Sequence, residues 1–172
     1  MKATKWVRAA SLLVCLGYAY PEERQNQDEA AVLELGAAPG RNLGDRVSSF
    51  GPTVAVEFSP IEKWLEIEAG VTPSFGHRTT EWATDLLFKK PWTLSPKVGF
   101  MIGMGPEWLH TTEAGFSRNS LGGEAVLDFM FWPGRSHRFG WYLEPGYEYN
   151  FGRGHERSIG MSVGLLIAIP KH

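Results

Sequence analysis

The sequence has little cysteine, no long apolar run and almost no net charge. Its one cysteine is Cys15, so the chain beyond that residue has no disulfide, no thiolate nucleophile and no cysteine-ligated metal. After residue 19, no apolar stretch reaches the roughly 20 residues that a transmembrane helix needs. The formal net charge of -2 gives no general attraction to nucleic acid, and we expect no nucleic-acid partner.

The N-terminal end has the features of a secretory signal peptide. Basic residues precede a short apolar core over residues 9–16, and Gly17-Tyr18-Ala19 then provides small residues around a cleavage position. We predict a signal peptide over residues 1–19 and a polar segment over residues 20–29. Export of this kind would carry the mature chain into the periplasm.

Beyond the signal, apolar side chains alternate with polar or small ones at a period of two. Between Ile159 and Ile169 the apolar residues fall on alternate positions, and Gly, Ser or Ala fill most of the others. A strand places these two sets on opposite faces, whereas a helix would mix them. Eight segments of about ten residues show the pattern, a length that spans a bilayer in a tilted strand. The first, Ala31–Ala38, is the weakest because Glu, Ala and Leu also favour a helix.

The stretches between these segments are predicted as hairpin connections at alternating ends of the strands. They are polar or contain Gly and Pro, the residues that favour turns. Lys89–Lys97 is predicted as a turn on one side, and Pro39–Ser49 and Thr111–Asn119 as loops on the other. Short connections of this kind pair each strand with the next, which gives an up-and-down meander.

Glycine indicates which face of each segment is the interior. Many glycines, Gly70 and Gly164 among them, fall on the more polar face. A water-exposed strand would gain nothing from so many weak strand formers, whereas small residues relieve crowding inside a narrow barrel. The apolar face carries Trp82 and Trp108 near strand ends, as in the aromatic belts of membrane barrels. The sequence therefore predicts an all-β fold over residues 30–172, an eight-stranded antiparallel up-and-down transmembrane β-barrel.

With this pattern the chain resembles the small eight-stranded outer-membrane β-barrel proteins of Gram-negative bacteria. That class includes structural and adhesive members, lipid A deacylases and a palmitoyl transferase. The resemblance covers the predicted barrel and depends on architecture rather than on a catalytic motif. It implies localisation in the outer membrane, contact with outer-membrane lipid and lipopolysaccharide, and insertion by the barrel-assembly machinery.

The predicted interior face is rich in carboxylates and has few basic residues. We expect these side chains to form a hydrogen-bonded polar network that fills the barrel. A cation-conducting or proton-relaying path is the alternative, although a barrel of eight strands is usually filled by its own side chains. The predicted network comprises Glu34, Glu57, Glu66, Glu68, Asp85, Lys89, Lys97, Glu107, Glu124, Asp128, Glu144 and Glu148.

A second group of residues is basic and falls in the predicted outer loops. Arginine binds phosphate through paired hydrogen bonds, and the outer leaflet displays phosphorylated lipopolysaccharide. Contact with lipopolysaccharide is one hypothesis for this group, and solvated loop charges paired with nearby acids are the other. The candidate contact residues are Arg41, Arg46, Arg78, Arg118, Arg153 and Arg157.

No sequence motif points to a particular chemistry. His155 and Ser158 are close in sequence, but they do not form the His-x-Ser pair that the outer-membrane deacylases carry on a strand. The acidic and histidine residues match no standard metal motif, and we predict no catalytic residue, metal or cofactor. The favoured function is a non-enzymatic outer-membrane barrel with a structural or envelope-integrity role. The alternatives are an outer-membrane lipid A-modifying hydrolase and a soluble periplasmic barrel that binds an apolar ligand.

Overall fold

In the computed structural model of the protein, the described residues are 29–75, 79–113, 115–134, 136–152 and 155–171. The predicted signal peptide at 1–19 and most of the polar segment at 20–29 lie outside them. No helix within the described ranges has the length and apolarity that a membrane span requires.

The regular structure is a set of antiparallel strands that form one closed barrel. The strands are β1 (Glu29–Asn42), β2 (Ser48–Ile61), β3 (Leu65–Phe75), β4 (Thr79–Ser95), β5 (Val98–Glu113), β6 (Phe116–Phe131), β7 (Phe139–Asn150) and β8 (Arg157–Pro170). Each strand pairs with its neighbours along the chain, and β1 pairs with β8 to complete the ring. The prediction of an eight-stranded antiparallel up-and-down barrel is therefore confirmed.

The connections alternate between two ends of the barrel. The turn end carries the β2–β3, β4–β5 and β6–β7 connections, together with the start of β1 and the end of β8. The loop end carries the other four connections. At the loop end Gly115 joins β5 to β6 with a φ of 86°, a left-handed conformation that glycine adopts without strain.

β1 is a strand despite its helix-favouring residues. Leu35 lies opposite Val54 of β2 on one side and Leu165 of β8 on the other. These two ladders satisfy the backbone polar groups of β1 and remove the open edges that β2 and β8 would otherwise present. Tertiary pairing therefore decides the structure of a segment whose local propensity is ambiguous.

The strands extend further than side-chain alternation predicts. β4 continues through much of the predicted turn Lys89–Lys97, with Trp92 opposite Phe100 of β5. At the loop end, β5 and β6 stay paired as far as Glu113 and Phe116, inside the predicted loop. Polarity indicates a connection in both places, but a backbone ladder continues without apolar side chains as long as its partner strand is present.

Large apolar side chains face outward on every strand of the barrel. On β8, Ile159, Val163 and Leu165 are exposed, whereas Leu166 is completely buried. Exposed apolar residues on the other strands include Leu35, Val54, Val71, Leu86, Ile102, Leu127 and Trp141. An apolar surface that surrounds a barrel is unfavourable in water and suits a lipid environment.

An apolar cluster fills the interior next to the turn end. It comprises Val32, Met101, Met130, Trp132, Tyr142 and Leu166, with Ala168 packed against it. Tyr142 and Leu166 are almost completely buried within the barrel. Packed side chains therefore occupy the lumen at this end, and the polar residues of the interior lie closer to the loop end.

Candidate functional site

The side chain of Lys89 lies inside the barrel among carboxylates from several strands. Its Nζ is 2.6 Å from Glu144 Oε2 and 3.0 Å from Asp128 Oδ2. It also donates a hydrogen bond to Glu68 Oε2 and lies 3.6 Å from Glu57 Oε2. Lys89 is completely buried, and we call these five residues the Lys89 cluster.

The Lys89 cluster cross-links the barrel through its lumen. Lys89 projects from β4, and its hydrogen-bond partners Asp128 and Glu144 belong to β6 and β7. A buried ammonium is unfavourable unless it is paired with opposite charge and its donors are satisfied. The ammonium has three donors, and Glu68, Asp128 and Glu144 accept from them. The cluster therefore ties strands together that share no backbone ladder.

Some carboxylate oxygens next to Lys89 have no hydrogen-bond partner. They are Glu34 Oε1, Glu57 Oε2 and Asp128 Oδ1, and all three are buried. Glu34, Glu57, Glu68 and Asp128 each bring one carboxylate oxygen to within 4.8 Å of the others. Clustered carboxylate oxygens are the ligand type that hard divalent cations prefer, and here the Lys89 ammonium is a built-in cation beside them.

Between the Lys89 cluster and the loop end, the lumen opens into a cavity of about 620 Å³. Its wall carries Glu81, Asp85, Glu107, Glu124 and Glu148, and we call this part of the lumen the acidic vestibule. Thr111 donates a hydrogen bond of 2.8 Å to Glu81 Oε2, whereas the buried Glu107 Oε2 has no partner. The lining of the cavity is therefore rich in carboxyl groups.

The register places carboxylates of the acidic vestibule directly opposite one another. Asp85 of β4 faces Glu107 of β5, and Glu124 of β6 faces Glu148 of β7. Like charges in such positions repel each other across the ladder. Glycine makes room for the acidic groups, since a Cβ at Gly70 would approach both Asp85 carboxylate oxygens to 2.7 Å.

Solved bacterial structures share this architecture at low sequence identity. Neisserial surface protein A has 14% identity over 81% of this chain and 97% of its own, with a TM-score of 0.67. The N-terminal barrel domain of Pseudomonas aeruginosa OprF has 12% identity over 82% of this chain and 100% of its own, with a TM-score of 0.57. The outer membrane enzyme PagL has 11% identity over 79% of this chain and 99% of its own, with a TM-score of 0.54. The chain has the fold of the small outer-membrane β-barrels. No family model and no curated protein matches the sequence.

This outer-membrane barrel fold brings most of the predicted polar network together in two groups. Glu57, Glu68, Lys89, Asp128 and Glu144 form the Lys89 cluster with Glu34 beside it, and Asp85, Glu107, Glu124 and Glu148 belong to the acidic vestibule. Glu66 is buried opposite Lys89 in the β3–β4 ladder.

The prediction of the polar network is wrong for Lys97, which does not reach the interior. β4 ends at Ser95, and Lys97 is exposed in the connection to β5. The alternation of faces holds only within a strand, so it cannot be extended into a turn. Conversely, the predicted network lacks Glu81, which lies on the inward face of β4 with Asp85. The two residues are separated by an even number of positions, and this spacing in the sequence would have identified Glu81 as an interior residue.

The candidate lipopolysaccharide-contact residues within the described ranges all lie at the loop end. Arg41 is the second-last residue of β1, Arg46 lies in the following connection, Arg118 is near the start of β6, and Arg157 begins β8. All four are exposed, while Arg78 and Arg153 lie outside the described residues. Arg118 and Arg157 have different partners. Arg118 Nη2 is 3.9 Å from Glu156 Oε1, whereas the Arg157 guanidinium lies 5.9 Å from the Tyr149 ring centroid.

His155 and Ser158, which are close in sequence, have separate surroundings in the barrel. His155 Nδ1 is 3.1 Å from the Tyr149 hydroxyl, and Ser158 lies in the wall of the loop-end cavity. The likeness to PagL concerns the fold alone. The cavity itself has a carboxylate lining rather than the apolar lining that a soluble barrel for an apolar ligand would need.

Proposed function

We propose that the protein resides in the outer membrane as a non-enzymatic β-barrel that supports envelope integrity and contacts lipopolysaccharide. The observation that carries this proposal is the apolar outer surface, which surrounds the barrel and has aromatic side chains toward both ends. A surface of this kind needs lipid around it. The fold shared with known outer-membrane barrels supports the same localisation.

The height of the apolar surface matches a membrane. Trp82 and Trp92 are both exposed on the outward face of β4 and lie ten residues apart. At about 3.3 Å per residue and a strand tilt of about 40°, this separation projects to roughly 25 Å along the barrel axis. Membrane barrels have an apolar band of about 25 Å between their aromatic girdles. β4 therefore has the length of one bilayer crossing.

The aromatic residues toward the turn end form a row over adjacent strands. The ring centroids of Trp92 and Phe100 are 5.8 Å apart, and those of Phe100 and Phe129 are 4.9 Å apart. Phe131 stacks on Trp141 at 3.8 Å. Tryptophan and other large aromatic rings are favoured at the interface between lipid tails and headgroups. The row supports an orientation with the turn end at one membrane surface.

The filled interior supports a structural role. The apolar cluster occupies the lumen at the turn end, and the Lys89 cluster crosses the lumen next to it. Such internal packing and hydrogen bonding make an eight-stranded barrel a rigid body rather than an open channel. We therefore place the contacts that matter for its function on its outer surface and loop end.

Contact with lipopolysaccharide is supported by the combination of charge and apolar surface at the loop end. Arg157 begins β8 at this end, where phosphate groups of the outer leaflet would lie. An outward groove lined by Trp108, Leu121 and Phe151 is close to the same end and could take an acyl chain. Phosphate binding by arginine and acyl-chain burial in the groove would act together on one lipid.

Cell fractionation tests this proposal. Full-length protein should sediment with outer membranes, marked by a known porin, and not with a soluble periplasmic marker. The folded barrel should also change its gel mobility on boiling, because a closed barrel resists detergent until it is heated. A strain without the protein should become more sensitive to bile salts, and a plasmid copy should restore resistance. Recovery in the soluble periplasmic fraction would contradict the proposal.

A further inference from the structure

The interior around Lys89 holds more carboxyl groups than basic groups. Lys89 is the one buried basic side chain in the described part of the chain. The carboxylate residues buried around it are Glu34, Glu57, Glu66, Glu68, Asp128 and Glu144. One ammonium cannot balance this number of carboxylates, and buried like charges repel strongly. The arrangement therefore has capacity for a further positive charge.

The unpartnered oxygens show where that charge would bind. Asp128 uses Oδ2 for the Lys89 ammonium, while its Oδ1 is buried without a hydrogen bond. Glu34 is 1% exposed, and its Oε1 has no partner either. Buried acceptors of this kind are rare in folded proteins and call for an ion, a proton or a water molecule.

We propose that Glu34, Glu57, Glu68 and Asp128 bind a calcium ion beside the Lys89 ammonium. Their ligand oxygens all lie within 4.8 Å of one another. Calcium accepts several carboxylate ligands in a flexible geometry, whereas magnesium requires a near-ideal octahedron, keeps several waters and is usually held by only one or two carboxylates. A set of four carboxylates therefore suits calcium better, and the remaining coordination positions would be filled by water. The four residues come from β1, β2, β3 and β6, which explains why no sequence motif marks the site.

The acidic vestibule provides the route to this site. Its cavity is open toward the loop end, and its wall includes Glu68 and Glu144 at the inner limit. Asp85 and Glu124 add further carboxyl groups along the way. Ionised carboxylates within low-dielectric walls concentrate cations and speed their binding.

Calorimetric titration with calcium chloride tests the proposal on the full chain, refolded in zwitterionic detergent and freed of metal with EDTA. The wild-type barrel should bind one calcium ion, bind magnesium more weakly, and unfold at a higher temperature when calcium is present. Glu34→Gln removes one ligand charge without touching a Lys89 hydrogen bond and should lower the calcium affinity by about tenfold or more. Glu62→Gln is the matched control, because Glu62 is an exposed carboxylate in the β2–β3 connection, 4.0 Å from Lys171 Nζ, and it should keep the affinity.

Three results would overturn the proposal. The wild-type barrel could show no calcium binding and no change in unfolding temperature, which would mean that protons balance the cluster. It could respond equally to calcium and magnesium, which would contradict the preference of four carboxylate ligands for calcium. Finally, Glu107→Gln could abolish binding while Glu34→Gln keeps it, which would place the ion in the acidic vestibule. The wild-type comparison of the two ions needs no variant, so it is decisive even if Glu34→Gln does not fold.

Discussion

At the scale of single residues, Lys89 has the most demanding environment in the barrel. Its ammonium is completely buried and hydrogen-bonds to Glu68, Asp128 and Glu144. Such a group is stable only with these partners, and the partners in turn depend on it for their charge balance. The sequence indicates that Lys89 faces inward, because it shares parity with Asp85, but not which carboxylates it meets.

Lys89→Met is expected to destabilise the barrel by about 3–5 kcal/mol, the usual effect of breaking a buried ion pair from one side. The free energy of unfolding can be measured with urea on detergent-refolded protein, in EDTA so that metal does not contribute. Lys90→Met is the matched control, because the Lys90 ammonium is at the surface, where it donates to the Lys63 carbonyl at 2.7 Å and lies 5.9 Å from the Trp92 ring centroid. It should cost less than about 1.5 kcal/mol. Equal effects of the two changes would show that the Lys89 cluster is not a stabilising element.

At the scale of strands, close backbone contacts between neighbours determine where glycine is needed. On β5, a Cβ at Gly105 would come within 1.8 Å of the Leu86 carbonyl oxygen of β4. At Gly99 on the same strand, a Cβ would meet only the Met130 Cβ at 3.7 Å, an ordinary contact. Both glycines lie on the inward face, so the alternation of side chains in the sequence cannot distinguish them.

Gly105→Ala should therefore destabilise the barrel by roughly 1–3 kcal/mol, since a backbone strand must move to admit the methyl group. Gly99→Ala, on the same strand and face, should cost less than about 1 kcal/mol. Urea unfolding followed by tryptophan fluorescence measures both. If the two variants unfold at the same urea concentration, the close approach of β4 and β5 is not as tight as the structure indicates.

At the scale of the whole molecule, the two ends of the barrel both carry exposed basic residues. Arg46 and Arg157 lie at the loop end, whereas Lys97 and Arg138 lie at the turn end. In the proposed orientation, only the loop end meets the phosphate groups of lipopolysaccharide. The position of a charge in the barrel, rather than the total charge, should therefore decide its effect on lipid binding.

The double change Arg46→Gln and Arg157→Gln should reduce the lipid A that stays with the purified barrel by several-fold. Each lost arginine–phosphate contact is a charge-assisted hydrogen bond worth about 1.5–3 kcal/mol before screening. The double change Lys97→Gln and Arg138→Gln alters the net charge equally at the opposite end and should leave lipid A retention unchanged. Mass spectrometry of the extracted lipid gives the measurement. Equal retention by both double variants would count against lipopolysaccharide contact at the loop end.

The sequence by itself determined the two faces of each strand, because side-chain period follows directly from backbone geometry. It also determined the barrel, because glycine and carboxylates on one face and large apolar residues on the other suit a narrow polar lumen within lipid. The ends of the strands were less predictable: β4 continues through Trp92 because β5 is there to pair with it.

Only the tertiary structure decided which interior residues meet. Lys89 and Glu144 are 55 positions apart in the chain, and their contact depends on strand register and barrel closure. The same register divides the interior into an apolar cluster, the Lys89 cluster and the acidic vestibule. The alternation of side chains assigns a residue to the lumen, but it does not say where along the barrel axis the residue lies. Leu166 illustrates this point. It is a large apolar residue on the face of β8 that otherwise carries small residues, and in the barrel it is a buried part of the apolar cluster.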